Sequence, residues 1–269
     1  MESLHLILKQ SGFVRTDEPL PEKGIVCHAV AGAGKTTLLR NWLLANHWAR
    51  VHTTQSPDPI HQTGRNITAV RPEEVDDKSL VCVLDEYGQA RDIPSGYAAY
   101  FTDPLQATRS LRAHYIKQVS HRVPKAITHW LRLNGYSIES DPETTIDGSL
   151  SFQHIYQGAS GVVITEKGWA HQTVASAGIP HHLVAHTVGK EWPVVTLVFQ
   201  PIEPSTSAEV RREYYIGATR CTRALHVRYY LPDSNAGQQQ ASLFDGSCRT
   251  CHSAHHLGIE EERAAPRRG

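Results

Sequence analysis

Long hydrophobic runs, a surplus of charge and a dense set of cysteines are all missing from this sequence of 269 residues. Its longest apolar segments, such as residues 194–199, fall far short of the roughly 20 residues that a membrane-spanning helix needs. Five cysteines, an odd number, favour reduced thiols over a disulfide framework. The early acid Glu2, with no basic segment before an apolar stretch, argues against a secretory signal. We therefore expect a cytosolic protein without a membrane span.

Net charge is zero, because 27 Lys and Arg balance 27 Asp and Glu, and this excludes a uniformly basic coat for nucleic acid. Locally the charge is uneven. Residues 104–135, which we name the acid-free stretch, contain six Lys and Arg, three His and no acid. We interpret it as a candidate anion-binding surface; the alternative is the solvated polar face of helices. Its basic residues are Arg109, Arg112, Lys117, Arg122, Lys125 and Arg132.

The rest of the composition is that of a folded protein, with 40% hydrophobic and 20% charged residues. The length suggests two mid-sized domains, and short apolar runs that end in polar clusters predict open parallel α/β sheets. We predict a helical lead-in over 1–23, an α/β domain over 24–115, a second over 116–232 and a disordered tail over 233–269. The predicted strands are 25–30, 80–84, 97–101, 161–165, 182–186, 194–199 and 224–230.

A glycine-rich turn between the first predicted strand and an amphipathic helix indicates a phosphate-binding loop. In such loops backbone N–H groups wrap the β-phosphate, a lysine reaches the β and γ oxygens, and a hydroxyl binds Mg²⁺. Lys35 and Thr36 fit these two roles, although Ala29 stands where the strict pattern has glycine. The flanking strand and helix are the context that the mechanism requires. The predicted nucleotide-binding residues are Ala31, Gly32, Ala33, Gly34, Lys35, Thr36 and Thr37.

Two acids at the end of a neighbouring buried strand complete this predicted site. Asp85 and Glu86 follow the apolar residues 80–84, where a magnesium-binding carboxylate is expected. Asp85 would hold Mg²⁺ together with Thr36, and Glu86 would orient the attacking water. Two acids in this position are also a common transition from strand to loop. Their order behind the phosphate loop favours the functional interpretation.

Four further segments resemble a known family. Residues 103–106 (Asp-Pro-Leu-Gln) resemble motif III of superfamily 1 helicases, and residues 120–124 (Ser-His-Arg-Val-Pro) resemble their motif IV arginine region. Residues 186–192 look like motif V, and residues 215–225 look like motif VI with its Thr-Arg pair. Together with the phosphate-binding loop and the two acids, these segments make six motifs in the family's order. Residues 24–230 therefore resemble the alphavirus-like branch of viral superfamily 1 helicases. Within that branch the short length, the absence of an inserted subdomain and the texts of residues 28–37, 84–87 and 215–222 look like triple-gene-block protein one, a family of plant-virus movement proteins.

The resemblance implies a fold of two RecA-like parallel-sheet domains that bind ATP or another NTP with Mg²⁺ in the cleft between them. It implies that Gln106 senses the γ-phosphate and that Arg122 and Arg220 stabilise the transition state. The predicted catalytic residues are Lys35, Asp85, Glu86, Gln106, Arg122 and Arg220. Without the motif positions, both arginines would be interpreted as solvated or structurally ion-paired.

Residues 51–55 (Val-His-Thr-Thr-Gln), a strand end, are the expected motif Ia. Contacts to single-stranded RNA are expected from motif Ia, the acid-free stretch and motif V. Hydroxyl, ammonium and guanidinium groups there could each hold a phosphate. For motif Ia the alternative is an ordinary threonine-rich strand end. The predicted RNA-binding residues are Thr53, Thr54, Lys117, Lys125, Arg132, Thr187 and Lys190.

By the same resemblance, the protein is an RNA-binding NTPase of the helicase type that moves the viral genome through plasmodesmata and suppresses host RNA silencing. The implied location is the host cytoplasm and plasmodesmata. The implied partners are viral single-stranded RNA, other viral movement proteins, the coat protein and host silencing factors, with homo-oligomerisation left open. Three departures from the family pattern, Ala29, Thr102 and Val188, predict nucleotide binding more firmly than efficient unwinding. An RNA-coating silencing suppressor with a vestigial NTPase is the alternative.

Two other interpretations are weaker. A P-loop kinase or GTPase is disfavoured because the sequence has no Asn-Lys-x-Asp segment and a nucleoside kinase has no use for Arg220 in a second domain. The tail offers soft ligands for zinc, but its Cys and His pairs are too close together for a zinc finger. We favour an unstructured, His-rich tail over a zinc site there; the residues are Cys248, Cys251, His252, His255 and His256.

Overall fold

The computed structural model of this chain describes residues 2–22, 24–60, 62–203 and 205–229. The predicted disordered tail over 233–269, with its cysteines and histidines, lies outside the described residues. Within the described ranges the chain is a mixed α/β protein with largely parallel sheets, which confirms the predicted fold class. No helix in these ranges combines the length and apolar character that crossing a bilayer requires.

The helices are α1 (Glu2–Gln10), α2 (Lys35–Ala45), α3 (Pro72–Asp76), α4 (Lys125–Leu133), α5 (Trp169–Ser176) and α6 (Ala208–Ala218). The strands of the first half are β1 (Val14–Arg15), β2 (Ile25–Ala29), β3 (Ala49–Thr53), β4 (Thr68–Ala69), β5 (Val81–Asp85), β6 (Ala99–Thr102) and β7 (Tyr115–Lys117). Those of the second half are β8 (Val119–Ser120), β9 (Glu139–Ser140), β10 (Ser149–His154), β11 (Val162–Thr165), β12 (His182–Leu183), β13 (Trp192–Val198) and β14 (Cys221–Tyr229).

The first sheet has seven strands in the order β1-β7-β2-β6-β5-β3-β4, and all its pairs are parallel except β1 with β7. Strands β2, β5 and β6 are almost wholly buried, which explains their appearance in the sequence as short apolar runs. The sequence had suggested that the strand carrying Asp85 is the direct neighbour of the strand before the phosphate loop. It is not, because β6 lies between β2 and β5. The carboxyl ends of all three strands still meet at one edge, where parallel sheets bind ligands.

The second sheet has five parallel strands in the order β10-β14-β13-β11-β12. Four of these strands overlap the predicted ones. The predicted strand 182–186 is extended only over His182–Leu183 and then turns into a single 3-10 turn, Val184–His186. Strand β10 was not predicted, because its residues Leu150 and Phe152 alternate with polar ones and no apolar run results. Strands β8 and β9 form a separate parallel pair.

The predicted helical lead-in is packed onto the core. Leu4 and Leu8, one helical turn apart on α1, are fully buried in the same apolar cluster as Leu39 and Trp42 of α2. Strand β1 then pairs antiparallel with β7, which ends at Lys117, and forms one edge of the first sheet. Both sheets lie in one compact unit of the chain. The division into two domains at residues 115 and 116 stays a prediction.

Candidate nucleotide site

The phosphate loop joins the carboxyl end of β2 to the first turn of α2. Gly32 and Gly34 adopt left-handed backbone conformations, with φ of 73° and 87°, which side chains disfavour. A Cβ atom on Gly32 would also lie 2.6 Å from Ser120 Oγ and 2.7 Å from Arg122 Cβ. No side chain caps the N-terminus of α2, so its N–H groups are free to bind phosphate oxygens. The loop therefore has the backbone shape of a phosphate site, and the first turn of α2 supplies its free donors. The N–H groups of Ala31 and Ala33 are bonded to the Tyr215 hydroxyl and the Val30 carbonyl.

The ammonium group of Lys35 is the positive centre of the site. Its Nζ donates a hydrogen bond of 3.0 Å to the carbonyl oxygen of Ala29 and lies 3.5 Å from the carboxylate of Glu86. Burial by itself would lower the pKa of Lys35, but the charges of Glu86, Asp103 and Asp85 outweigh it and raise the pKa. Lys35 is therefore charged at neutral pH. The group of residue 29 that contacts Lys35 is its backbone carbonyl, which alanine and glycine share.

Two buried carboxylates, Asp85 and Asp103, lie at the ends of β5 and β6. Burial is the main reason that the pKa of each is raised; the negative charge of Glu86 raises both further, and Lys35 opposes the shift. The three carboxyl groups of the site, those of Asp85, Glu86 and Asp103, thus bring more negative charge than Lys35 alone neutralises. A divalent cation would relieve that excess, and the hard oxygen atoms of Thr36 and Asp85 are the donors that Mg²⁺ prefers. These residues fit the predicted metal ion.

The backbone at Glu86 is held in an unusual conformation. Its φ of 55° is the single positive value among described residues other than glycine. The carbonyl oxygen of Glu86 accepts hydrogen bonds from Thr54 Oγ1 at 2.6 Å and from the Gln89 N–H at 3.0 Å, which fix the turn. This conformation directs the Glu86 carboxylate towards Lys35. Strained backbone of this kind is concentrated at functional sites.

Gln106 is anchored within the same site. Its Nε2 donates a hydrogen bond of 2.8 Å to Asp103 Oδ2, while the other Asp103 oxygen accepts from the Leu105 N–H at 3.0 Å. The hydroxyl of Tyr215 also donates to Asp103 Oδ2, at 3.0 Å. Sequence reasoning missed Asp103 and Tyr215 as site residues. Asp103 could have been found as the acid of the Asp-Pro-Leu-Gln segment, whereas no local signal marks Tyr215, which is 112 residues away.

Thr102, which replaces a glycine of the family pattern, is accommodated by local packing. It is fully buried, and its hydroxyl has no hydrogen-bond partner among the described residues. A Cβ on Gly88 would lie only 2.8 Å from Thr102 Oγ1. The threonine side chain therefore uses space that the glycine at residue 88 leaves open.

Arg122 lies beside the phosphate loop, where its Cβ would contact a side chain at residue 32. Its guanidinium group forms an ion pair with Glu191 and donates a hydrogen bond of 3.3 Å to the carbonyl oxygen of Thr219. Its Nε is buried without a partner in the described chain. Arg122 therefore connects the loop side of the site to the predicted motifs V and VI.

Arg220 is 3% exposed and is turned towards its own segment. Its guanidinium donates to the Ile216 carbonyl at 3.0 Å, to Thr219 Oγ1 at 3.1 Å and to the Lys190 carbonyl at 3.5 Å. Burial, followed by the charge of Arg122, lowers its pKa to about 10, so it remains charged at neutral pH. The structure thus brings the two predicted arginines together at Thr219, with Arg220 facing carbonyl groups of the second half of the chain.

The predicted RNA-binding residues do not form one surface. Thr53 is buried and accepts a hydrogen bond from the N–H of Gln55, and Thr54 is used in holding Glu86. Thr187 is fully buried, with its hydroxyl donating to the carbonyl three residues earlier, whereas Lys190 is exposed. Of these four side chains, Lys190 faces solvent. The predicted RNA contacts stay predictions.

The acid-free stretch acquires acids in the folded chain. Five of its six basic residues form ion pairs with acids from other segments, mostly long and exposed. Exposed ion pairs with N···O distances this long are weak, so an RNA phosphate could displace the acids. This neutralisation favours a solvated, charge-balanced surface. The pairs are Arg109–Asp92 at 3.6 Å, Arg112–Glu18 at 3.7 Å, Lys125–Asp147 at 3.8 Å, Arg132–Glu139 at 3.7 Å, and Arg122–Glu191.

Lys117, the sixth basic residue, is linked to an acid through a histidine. Its Nζ lies 2.9 Å from His121 Nε2, and His121 Nδ1 lies 2.6 Å from Asp141. Burial lowers the pKa of Lys117, and the charge of Asp141 opposes that shift. This lysine is thus less available to a phosphate than an isolated surface lysine.

Comparisons with known proteins identify the family of this chain. Residues 25–229 match the family model of the viral superfamily 1 RNA helicase core domain. The movement and silencing protein TGBp1 of Lolium latent virus is 36% identical over 93% of this chain and 96% of its own length. TGBp1 of Potato virus X strain HB is 33% identical over 85% and 99%, and that of Papaya mosaic potexvirus is 32% identical over 82% and 92%.

Among solved structures, the chain is similar to the arterivirus nonstructural protein 10 helicase, with a TM-score of 0.54 and 19% identity over 89% of this chain. A complex of that helicase with DNA gives a TM-score of 0.53 and 18% identity over 84% of this chain. The chain spans 64% and 62% of these helicase chains, respectively. At such identity the likeness concerns the fold.

Proposed function

The chain belongs to the viral superfamily 1 RNA helicase family, and within it to the TGBp1 movement and silencing proteins, and from this we propose that it is an RNA-stimulated NTPase. The observation that carries the proposal is the convergence of Lys35, Asp85, Glu86 and Gln106 at the carboxyl ends of β2, β5 and β6. The positive charge of Lys35 and the burial of the site suit a nucleoside triphosphate. ATP is the first nucleotide to test, with other NTPs as substrates of the same class.

In the proposed reaction the N–H groups of the first turn of α2 and Lys35 bind the phosphates. Lys35 would leave the Ala29 carbonyl and Glu86 for the β and γ oxygens. Thr36 and Asp85 would hold Mg²⁺. The ion would supply charge neutralisation at the phosphate oxygens. Glu86, freed from Lys35, would orient the attacking water, and Gln106 would contact the γ-phosphate.

The two arginines would act last. Arg122 is ion-paired with Glu191, and Arg220 is bound to carbonyl groups, so both must exchange these partners for phosphate oxygens during hydrolysis. Such an exchange requires both guanidinium groups to turn from these partners towards the loop, which α6 already contacts through the Tyr215 hydroxyl. We propose that RNA binding promotes this rearrangement, which would couple hydrolysis to movement along single-stranded RNA.

The experiment that tests the proposal is ATP hydrolysis with and without single-stranded RNA, in the wild-type chain and in Lys35→Ala. Lys78→Ala, which removes an exposed lysine before β5, is the matched control. We expect RNA-stimulated hydrolysis in the wild type and in Lys78→Ala, and none in Lys35→Ala. Equal hydrolysis in all three chains would mean that the activity does not come from this site.

A second candidate is an RNA-coating silencing suppressor with a vestigial NTPase. It is favoured by Arg220, whose hydrogen bonds all go to residues 190–219 instead of the phosphate loop. Single-turnover hydrolysis separates the two candidates. A wild-type chain that binds ATP and RNA without cleaving ATP at a rate above that of Lys35→Ala would support the second.

From the membership in the TGBp1 family we further propose a role in the movement of viral RNA between plant cells and in silencing suppression. The site of action would be the host cytoplasm and plasmodesmata, with other viral movement proteins, the coat protein and host silencing factors as partners. Spread of a virus that carries Lys35→Ala in this chain would show whether movement needs the nucleotide site. Spread equal to that of the wild-type virus would separate movement from hydrolysis.

A further inference from the structure

A single hydroxyl group connects three parts of the nucleotide site. Tyr215 Oη accepts a hydrogen bond of 3.0 Å from the Ala31 N–H of the phosphate loop and donates one of 3.0 Å to Asp103 Oδ2. The same Asp103 oxygen accepts the 2.8 Å hydrogen bond from Gln106 Nε2. Because the Ala31 N–H can only donate, the hydroxyl proton of Tyr215 must point to Asp103. The four residues are all buried.

Tyr215 cannot easily move independently of helix α6. Its ring is fully buried and stacks on Tyr136 with centroids 5.5 Å apart. Two residues later, a Cβ on Gly217 would lie 2.5 Å from Leu197 Cδ1, which shows how closely α6 packs against β13. The hydroxyl position is therefore determined by the packing of α6 on the second sheet.

Helix α6 also leads directly to the predicted arginine finger. The Thr219 N–H donates to the Tyr215 carbonyl at 3.0 Å, and Arg220 Nε donates to the next carbonyl, that of Ile216. A shift of α6 would thus move Arg220 and the Tyr215 hydroxyl together. The hydroxyl would transmit that shift to Asp103 and from there to Gln106.

We propose that Tyr215 is a positioning residue for hydrolysis. Its hydroxyl holds Asp103 so that Gln106 points to the γ-phosphate only while α6 is packed against the second sheet as described. This inference rests on the proposed function, because it assumes hydrolysis at this site. The partners of the Tyr215 hydroxyl are the Ala31 N–H and Asp103. It acts through Asp103, and it makes the γ-phosphate sensor dependent on the same helix that carries Arg220.

The test is Tyr215→Phe, which keeps the ring and its packing and removes the hydroxyl alone. Tyr136→Phe is the matched control: it alters the other ring of the stack, and its lost hydroxyl donates to the Arg211 carbonyl of α6 at 2.8 Å, so it removes a hydrogen bond to the same helix that does not involve Asp103. Both variants lose hydrogen bonds and should melt at lower temperatures. For Tyr215→Phe we expect kcat to fall by about 10- to 100-fold, as for a misplaced catalytic group, with the ATP Kd within about threefold. For Tyr136→Phe we expect kcat within about twofold of the wild type.

A second background shows whether the hydroxyl acts through Gln106. In Gln106→Ala the sensor is absent, so adding Tyr215→Phe should change kcat by less than about twofold, because contacting residues in one network are not additive. A full additional loss in that background would overturn the proposal. Asp103→Asn, which replaces the shared acceptor oxygen by an amide nitrogen when Leu105 keeps its bond, should reproduce the kcat loss even if Tyr215→Phe fails to fold.

The possible failures are distinct. If the wild type hydrolyses ATP in a Lys35-dependent manner and Tyr215→Phe matches it in kcat, the inference about Tyr215 is wrong and the proposed function stands. If Tyr215→Phe loses ATP affinity in proportion to kcat, the hydroxyl is only a support of the loop, and the inference is again wrong. If the wild type and Lys35→Ala hydrolyse ATP equally slowly, the proposed function fails and the inference falls with it.

Discussion

The ammonium nitrogen of Lys35 lies 3.5 Å from the carboxylate of Glu86, so the predicted phosphate-binding lysine and the predicted water-orienting acid are ion-paired with each other. A bound triphosphate would compete for the lysine and release the acid. In this arrangement nucleotide binding itself frees the group that handles the water. Lys35 is also a buried positive charge that interacts with the neighbouring carboxyl groups of Asp85 and Asp103.

Lys35→Ala should lose ATP affinity by at least about tenfold, because charge-assisted hydrogen bonds contribute about 1.5–3 kcal/mol each. The variant should also melt at a lower temperature, since Asp85 and Asp103 lose their nearest cation. That destabilisation should be greater at pH 8 than at pH 5.5, where the two carboxyl groups are more fully protonated. Nucleotide titration and thermal melting at both pH values measure these effects, with Lys78→Ala as control. Unchanged ATP affinity in a folded variant would remove the phosphate-loop assignment.

Asp85→Asn should change the pH dependence of stability. Burial raises the pKa of Asp85 in the folded chain, so between its unfolded and folded pKa the native state binds more protons than the unfolded state. Wild-type stability is therefore lost as pH rises through the folded pKa, with a slope of at most about 1.4 kcal/mol per pH unit from this group. The variant lacks this slope and should gain relative to the wild type from pH 5 to pH 8. Urea unfolding measures the difference, with the exposed Asp92→Asn as control; parallel curves for Asp85→Asn and the wild type would contradict the raised pKa.

Arg220→Lys should keep the ATP Kd within a few-fold and lower the hydrolysis rate by about 10²- to 10³-fold, because lysine keeps the charge but lacks the guanidinium fork. Lysine is chosen over alanine since Arg220 is buried and makes three hydrogen bonds. Arg228→Lys is the matched control: this arginine is also buried, in β14, and donates to the Gly158 carbonyl. Single-turnover rates of the three chains are to be compared. If Arg220→Lys hydrolyses ATP at the wild-type rate, Arg220 lies outside the reaction.

RNA affinity should fall steeply with salt, with a log–log slope of about −4 if six phosphates are contacted on a single strand. Replacing Lys117, Lys125 and Arg132 together by Gln should flatten that slope by about 2 and leave basal ATPase unchanged, since none of the three is assigned to the nucleotide site. This expectation holds although the structure pairs Lys125 and Arg132 with acids and links Lys117 to Asp141 through His121.

The acids provide the control for that experiment. Neutralising Asp147 and Glu139 as Asn and Gln removes the partners of Lys125 and Arg132 and should raise RNA affinity if the cations contact phosphate. A salt slope that is the same in the wild type and the triple variant would assign the acid-free stretch to a solvated surface. The RNA path would then be sought near Thr54 and Lys190.

The glycine-rich turn of the phosphate loop, its flanking strand and helix, and the two acids at the end of β5 could be predicted because their signals are local. Glycines, a lysine and an apolar run lie within a few residues of one another, and the backbone physics of the loop dictates that spacing. The surroundings of Lys35 have no such local signal: it is buried among carboxylates on the first turn of α2. Burial of this kind arises from β5 and β6, which the lysine's own neighbourhood does not reveal.

What sequence reasoning missed depends on distant segments. The acids that neutralise Arg112 and Arg122 lie 94 and 69 residues away, at Glu18 and Glu191, so a linear charge count sees an uncompensated basic stretch. Tyr215 reaches Asp103 across 112 residues. Strand β10 has an alternating pattern too short to stand out, and its pairing with β14 is what makes it a strand.

The docking of α1 and β1 on the first sheet has a practical consequence for anyone preparing shortened versions of this chain. A truncation starting at residue 24, the predicted domain boundary, would remove Leu4 and Leu8 from the apolar cluster and uncover the edge of β7. Exposed strand edges pair with other chains and promote aggregation. Residues 2–22 should therefore be kept in any fragment intended for crystallisation or for binding assays at high concentration.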